Sequence, residues 1–288
     1  MDIEKATEIG FCFGVKRALK ILEDTIRDHG EVETLGPVVH NQQVVDKFSQ
    51  IGVKVVTAPD QIKGNVAVIP SHGVSPNMLE ELASRGLKIM DTTCPNVRKA
   101  QTAARELSEA GFWVIIFGDP THPEVKGILG WAGHRGMATL DSKSITKLDE
   151  LPSRLGILSQ TTRNPAQFVD FVDNIIGSLT SQIDELRIIN TLCNITKNRQ
   201  TAALELAKKV SLMIVVGGRN SANTRCLAQV CSSTGTETHH IETADEIKDA
   251  WLKGQGSIGI TTGTSIPHSV IDEVMLKLEE MRRRLDAD

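Results

Sequence analysis

Three cysteines of this chain stand in turns of one kind. Cys12 follows Ile9-Gly10-Phe11, Cys94 follows Asp91-Thr92-Thr93 and Cys193 follows Asn190-Thr191-Leu192, and a basic residue (Lys16, Arg98 or Lys197) comes four places after each. A thiol where a helix begins, with a cation close by, is favoured as thiolate, the form that binds metal. The register continues beyond the cysteines. Gly36, Gly118 and Gly217 each stand 24 residues after one of them. Four residues past each glycine come His40, His122 and Ser221, and two further on Gln42, Glu124 and Asn223. Such spacing is that of one structural unit used three times. Three thiolates suit an iron-sulfur cluster and zinc alike. A cluster of four irons held by three cysteines has one iron without a protein ligand, open to substrate. Cys226 and Cys231 fall in one predicted helix, match nothing in the other repeats and read as core.

A second group of residues falls at predicted strand ends: His40, His72, His122, Thr161, Thr162, Ser221, Asn223 and Ser265. It is rich in hydrogen-bond donors and poor in fixed charge, and with helix N-termini behind it suits a phosphate or diphosphate. Ser71, Ser159 and Thr261 read as helix caps. No GxxxxGK[ST] phosphate loop occurs. Glu124 is the one ionisable acid at its repeat position. Burial beside a cluster would raise its pKa and make it a proton donor, while a carboxylate favoured by a helix dipole accounts for the same residue more simply.

The elements that must position these residues alternate strand with helix along the whole chain, the pattern of parallel α/β layers. The predicted helices include continuous runs at Ser144–Leu151 and Ala244–Leu252. The repeat divides the chain into three lobes: 1–97 with Cys12, His40 and His72; 98–192 with His122, Glu124 and Thr161, and Cys94 at its entry; and 193–288 with Cys193, Ser221, Asn223 and Ser265. Ligands of parallel sheets bind beyond the carboxyl ends of the strands. Three pseudo-symmetric lobes with those ends inward would therefore share one central site.

Composition excludes some classes. The chain has 288 residues, 40% hydrophobic and 24% charged, with a net charge of −4 and no basic stripe, so no nucleic-acid footprint is expected. No run approaches the ~20 apolar residues of a membrane span, and the start lacks the pattern of a signal peptide. The expectation is a cytoplasmic protein whose cysteines are reduced.

Taken together, Gly10-Phe11-Cys12-Phe13-Gly14-Val15, Val39-His40-Asn41, Ser71-His72-Gly73-Val74-Ser75, Asp91-Thr92-Thr93-Cys94-Pro95, His122-Pro123-Glu124-Val125, Ser159-Gln160-Thr161-Thr162, Cys193 to Gln200 and Asn220-Ser221-Ala222-Asn223 resemble the signatures of the LytB family. Its members are 4-hydroxy-3-methylbut-2-enyl diphosphate reductases of the non-mevalonate isoprenoid pathway. The resemblance spans essentially the whole chain. It implies a [4Fe-4S] cluster on Cys12, Cys94 and Cys193, with one iron lacking a protein ligand and taking the substrate hydroxyl. It further implies an allylic diphosphate held by His40, His72, Ser221, Asn223 and Ser265 with His122 nearby, and protons supplied by Glu124 with Thr161 beside it. A one-electron donor protein, ferredoxin or flavodoxin, is expected as partner. The products would be isopentenyl and dimethylallyl diphosphate. Two positions depart from the family pattern: Ala222, where a second serine is frequent, and Asn194, where an aromatic is often found. The residues alone leave two other readings open, a cluster-dependent dehydratase and a zinc-bound or apo binding protein for a phosphorylated metabolite.

Overall fold

In a computed structural model that describes residues 2–133, 135–148 and 150–287, the chain runs β1 (Asp2–Lys5), α1 (Phe13–His29), β2 (Val32–Leu35), α2 (Gln42–Ser49), β3 (Val53–Val56), β4 (Val66–Ile69), α3 (Pro76–Ser84), β5 (Lys88–Asp91). It continues with α4 (Pro95–Glu109), β6 (Trp113–Phe117), α5 (Pro123–Trp131), β7 (Gly136–Thr139), β8 (Arg154–Ser159), α6 (Pro165–Leu179) and β9 (Glu185–Ile189). The last part is α7 (Asn194–Ala207), β10 (Leu212–Val216), α8 (Ala222–Ser232), β11 (Glu237–Ile241), α9 (Asp249–Leu252), β12 (Ser257–Thr262) and α10 (His268–Ala287).

These strands form three parallel sheets, so the fold is three parallel-sheet α/β lobes. The orders are β3-β2-β4-β5, β7-β6-β8-β9 and β11-β10-β12-β1. In each, the strand that leads to a cysteine is the fourth member of the sheet before it. Residues 2–5, placed in the first lobe by the sequence division, pair in parallel with Ser257–Ile260 of β12. The physical reason is that β12, like β4 and β8, has a free parallel edge, and only the strand before Cys12 is left to fill it.

Two compact units can be separated. One comprises Met1–Val15, His40–Val44 and Asn194–Asp288, and the other Lys16–Val39 and Val45–Cys193. In the first, the uninterrupted apolar run of β10 is buried on both faces, as a central parallel strand must be. Leu212, Ile214 and Val216 pack with Ile258, Ile260, Val274 and Leu278, while Met213 and Val215 meet Ala203, Leu206 and Leu227 of α7 and α8. In the second unit β6 does the same: Val114 and Ile116 face α4 and α5, and Ile115 and Phe117 face Phe168, Phe171 and Ile175 of α6. Each such side chain contributes about 1.5–3 kcal/mol by leaving water.

Two predicted helices are not continuous. In place of Ser144–Leu151 there is a 3-10 turn at Ser142–Ser144, where Asp141 accepts the Lys143 N–H, followed by further turns; Asp149 lies outside the described residues. Ala244–Leu252 is broken into a 3-10 turn at Ala244–Glu246 and the short α9. There the Glu246 carboxylate folds back to accept the N–H groups of Glu242 and Thr243, and Lys248 is extended. A side chain that satisfies the backbone locally removes the gain from continuing a helix.

Candidate functional site

The repeat is legible in the backbone hydrogen bonds that hold the turns. The amide of each cysteine donates to a carbonyl two residues beyond the end of a strand: Cys12 to Thr264 at 3.0 Å, Cys94 to Ser71 at 2.9 Å and Cys193 to Thr161 at 2.9 Å. Ser71, Thr161 and Thr264 are thereby equivalent, and so are the residues after them, His72, Thr162 and Ser265. The three register glycines donate in the same way to the last residue of an edge strand, Gly36 to Val56, Gly118 to Thr139 and Gly217 to Ile241. Glycine is required at these places for different reasons. Gly36 has a φ of +90°, whereas a Cβ on Gly217 would lie 2.5 Å from Oγ1 of Thr224.

All three cysteines are partly exposed and free of disulfides, in contrast to the buried Cys226 and Cys231. These two pack as core, as expected, and burial pushes the Cys231 thiol up to about 12. Cys94 is the N-cap of α4, where Pro95 at the first helical position fixes the turn. Cys12 Sγ accepts the Val15 N–H at 3.4 Å. Among the described residues no group of three or more His, Cys, Asp or Glu side chains is arranged to hold a single metal ion.

In the unit that carries Cys94 and Cys193, Glu124 is 4% exposed, and its Oε1 accepts the Thr161 N–H at 2.7 Å. Because the Thr161 carbonyl takes the Cys193 amide, one residue joins the carboxyl group to the cysteine turn. Burial raises the Glu124 pKa, and the hydrogen bonds from Thr161 and the charge of Arg163 act against it without cancelling it. His122 caps α5: its Nδ1 accepts the Glu124 N–H at 3.2 Å, which leaves the ring proton of a neutral imidazole on Nε2. His72 is buried against Gly36, with Nδ1 3.0 Å from the Gly73 carbonyl. The Thr162 hydroxyl is buried with no hydrogen-bond partner.

The unit that carries Cys12 gathers the remaining polar residues. Ser221 caps α8 through its Oγ, accepting the Thr224 N–H at 3.3 Å, and Ser265 donates to the His40 carbonyl at 3.3 Å. Burial and the nearby Arg225 cation lower the His40 pKa, so at neutral pH its ring is an uncharged donor. Asn223 is 3% exposed, and neither its Nδ2 nor its Oδ1 has a partner. An amide buried in that state costs about 1–3 kcal/mol unless something else completes it. A phosphate oxygen would accept from its Nδ2, and a hydroxyl or water would donate to its Oδ1.

The caps expected at Ser71, Ser159 and Thr261 are not caps. Ser71 donates to the carbonyl of Val38 in the turn after β2, Ser159 has the carbonyls of Gln160 and Phe117 as acceptors, and the Thr261 hydroxyl is buried without a partner. Capping falls instead to His122, Asn164 and Ser221, because those residues directly precede a first turn. Of the two departures, Ala222 opens α8 and Asn194 opens α7, where it is exposed.

Arg199 was missed by the reading of polar strand ends. It is 2% exposed on α7, and its guanidinium donates to the carbonyls of Gly10, Thr262 and Gly263 and to the Thr262 hydroxyl, between 2.7 and 3.2 Å. The Gly10 N–H returns a bond to the same hydroxyl at 2.8 Å. Arg199 therefore fastens the Cys12 turn to the end of β12. A signal for it exists: it stands on the buried face of α7 with Thr196, Ala203 and Leu206, where an apolar residue would be the default. Asn96 was missed as well, and its amide lies 3.1 Å from Cys193 Sγ.

The family model described as LytB protein matches residues 3–279. A 4-hydroxy-3-methylbut-2-enyl diphosphate reductase of Dehalococcoides mccartyi (strain CBDB1) is 51% identical over 281 residues, 98% of this chain and 99% of that protein. The reductase of the same description from Pelobacter propionicus is 39% identical over 284 residues, 99% and 100% of the two chains. A solved structure of (E)-4-hydroxy-3-methyl-but-2-enyl diphosphate reductase, the terminal enzyme of the non-mevalonate pathway, is 36% identical, with a TM-score of 0.69 over 97% of this chain and all of that one. The Plasmodium falciparum E-1-hydroxy-2-methyl-but-2-enyl-4-diphosphate reductase superposes with a TM-score of 0.90 over 96% of this chain and 87% of its own at 24% identity, which speaks for the fold.

Proposed function

The chain belongs to the LytB family, and from that premise we propose that it is an iron-sulfur oxidoreductase that removes the hydroxyl of 4-hydroxy-3-methylbut-2-enyl diphosphate by two-electron reduction. The products are isopentenyl and dimethylallyl diphosphate. Cys12, Cys94 and Cys193 would hold a [4Fe-4S] cluster. They fit it as three partly exposed thiols at equivalent turns, the last two cysteines of the chain being spent on core. Such a cluster, when bound, supplies single electrons and one open iron of Lewis-acid character.

The rest is done by the chain's own side chains. Glu124 supplies protons. Its Oε1 is occupied by the Thr161 N–H, so the exchangeable proton belongs on Oε2, and burial keeps it there at a pH where an exposed glutamate would have lost it. Thr161 holds that carboxyl in place and, by its carbonyl, sets it relative to Cys193. His40, Ser221, Asn223 and Ser265 bind the diphosphate in one unit, aided by the N-terminus of α8. His72 and the Nε2–H of His122 contribute donors from the other. The observation that carries this reading is the buried Glu124 carboxyl tied by one residue to a cysteine turn.

No helix of the described residues is long and apolar enough to cross a membrane, consistent with a cytoplasmic enzyme fed by a small electron-transfer protein such as ferredoxin or flavodoxin. The test is anaerobic purification followed by turnover. The protein should be brown with about four irons per chain, and should consume a reduced one-electron dye only when the hydroxy diphosphate is present. Water loss without dye consumption would make it a dehydratase. Colourless protein loaded with zinc would remove the cluster altogether.

A further inference from the structure

The three cysteine turns share one backbone pattern, but the sulfurs of Cys12 and Cys193 receive hydrogen bonds of different kinds. Cys12 Sγ accepts a backbone N–H from its own turn, a donor that almost any sequence provides. Cys193 Sγ receives a side-chain amide from the preceding repeat, Nδ2 of Asn96 at 3.1 Å. Asn96 is the second residue after Cys94, in the first turn of α4 behind Pro95, so the helix start that places Cys94 also places this amide. The equivalent residues after Cys12 and Cys193 are Gly14 and Ile195, neither of which has a side-chain donor. A metal-bound thiolate can only accept, so the amide must present its nitrogen to the sulfur.

The geometry points to Asn96 as a positioning residue that tunes the electron affinity of the bound cluster through an N–H···S bond to Cys193. This inference rests on the cluster reading above. Hydrogen bonds to ligating sulfurs stabilise the more negative, reduced state and are among the chief determinants of cluster potential. The amide falls on Cys193, whose turn Thr161 joins to the Glu124 carboxyl. The amide donor and the buried carboxyl thus meet on one cysteine turn.

The test uses the cluster-loaded full chain and Asn96→Leu, which removes the donor at similar size. Asn96 is only partly buried at a helix start, and the variant should match the wild type in iron per chain and in its unfolding curve. Its midpoint potential, titrated with electron paramagnetic resonance detection, should move to more negative values by about 59 mV, a tenfold loss of electron affinity for one electron. Asn96→Asp, which puts an anion in place of the donor, should move it further in the same direction. Deuterium exchange should reveal in the wild type a cluster-coupled exchangeable proton that is missing from Asn96→Leu. An unchanged midpoint and an unchanged proton coupling in both variants would overturn the role of Asn96 and leave the function intact. A wild-type chain that holds no iron and sulfide would overturn both.

Discussion

Glu124→Gln separates the proton from the shape of the site. Glutamine keeps the size of the side chain, and its amide oxygen can accept the Thr161 N–H that Oε1 accepts at 2.7 Å, so the link to the Cys193 turn should survive. What is lost is the acidic proton. A general acid of this kind is worth roughly 10²–10⁴-fold in rate. The variant should therefore keep its iron and its affinity for the diphosphate, while kcat falls by about that factor. Stability gives a second and independent reading. Burial raises the folded-state pKa of Glu124 above the ordinary value of 4.5. The stabilisation that comes from keeping this group protonated is complete below pH 4.5 and is lost as the pH rises through the folded value. Each tenfold displacement of that ionisation is worth about 1.4 kcal/mol. Glutamine cannot ionise. In urea titrations of cluster-free protein, Glu124→Gln should therefore gain on the wild type from pH 4.5 upward and level off once the wild-type carboxyl has ionised. The rate of the wild type should fall over the same upper range, and the residual rate of the variant should not. A variant with an unimpaired rate, or with a stability difference that does not change with pH, would refute the assignment of Glu124 as a buried acid.

Asn223→Leu should leave cluster-free protein at least as stable as the wild type by urea unfolding, because it removes an amide buried without partners, and should raise KM for the diphosphate substrate about tenfold or more. An unaltered KM would take Asn223 out of the binding site. Arg199→Met should destabilise the unit that carries Cys12 by about 3–5 kcal/mol in the same assay, since carbonyls of Gly10, Thr262 and Gly263 lose a charged donor together. A loss below about 1 kcal/mol would mean that the clamp is not what holds the turn.

Much of the fold could be read from punctuation. Pro76, Pro95, Pro123 and Pro165 each open a helix, and Gly36, Gly118 and Gly217 keep the register of strand ends, because proline and glycine restrict or permit backbone shapes independently of context. The sheet that owns β1 was not readable in the same way. Its partner lies some 250 residues away, and local periodicity carries no record of a pairing that distant. The broken helix at Ala244–Leu252 shows a related limit: Glu246 has good helix propensity, but its carboxylate is used on the N–H groups of Glu242 and Thr243. The residues repeated in register lie at the strand-end turns where the sequence places them. Arg199 and Asn96 were not legible in it, since one lies within a helix and the other serves a sulfur in a different repeat.

The amide bonds of the cysteines explain why the chain can repeat one unit and still build an asymmetric site. Each thiol is set by two local devices: a helix start that follows it, and a carbonyl from a neighbouring strand end that takes its N–H. Those devices are backbone in nature and tolerate any side chain at Ser71, Thr161 and Thr264. The side chains at and beside the anchors are thereby released to differ. In the repeats they became His72, Thr162 and Ser265, and at the register position Gln42, Glu124 and Asn223. Only the middle set combines a buried acid with a threonine whose N–H it accepts, so in the function proposed above the proton comes from one side, whereas the unpartnered amide of Asn223 belongs to the unit with Cys12. Exchanging the pair, with Glu124→Asn and Asn223→Glu in one chain, should therefore not restore activity. The carboxylate would then lack the Thr161 N–H that fixes Oε1, and the threefold backbone would be intact around a site that neither holds the diphosphate nor protonates it.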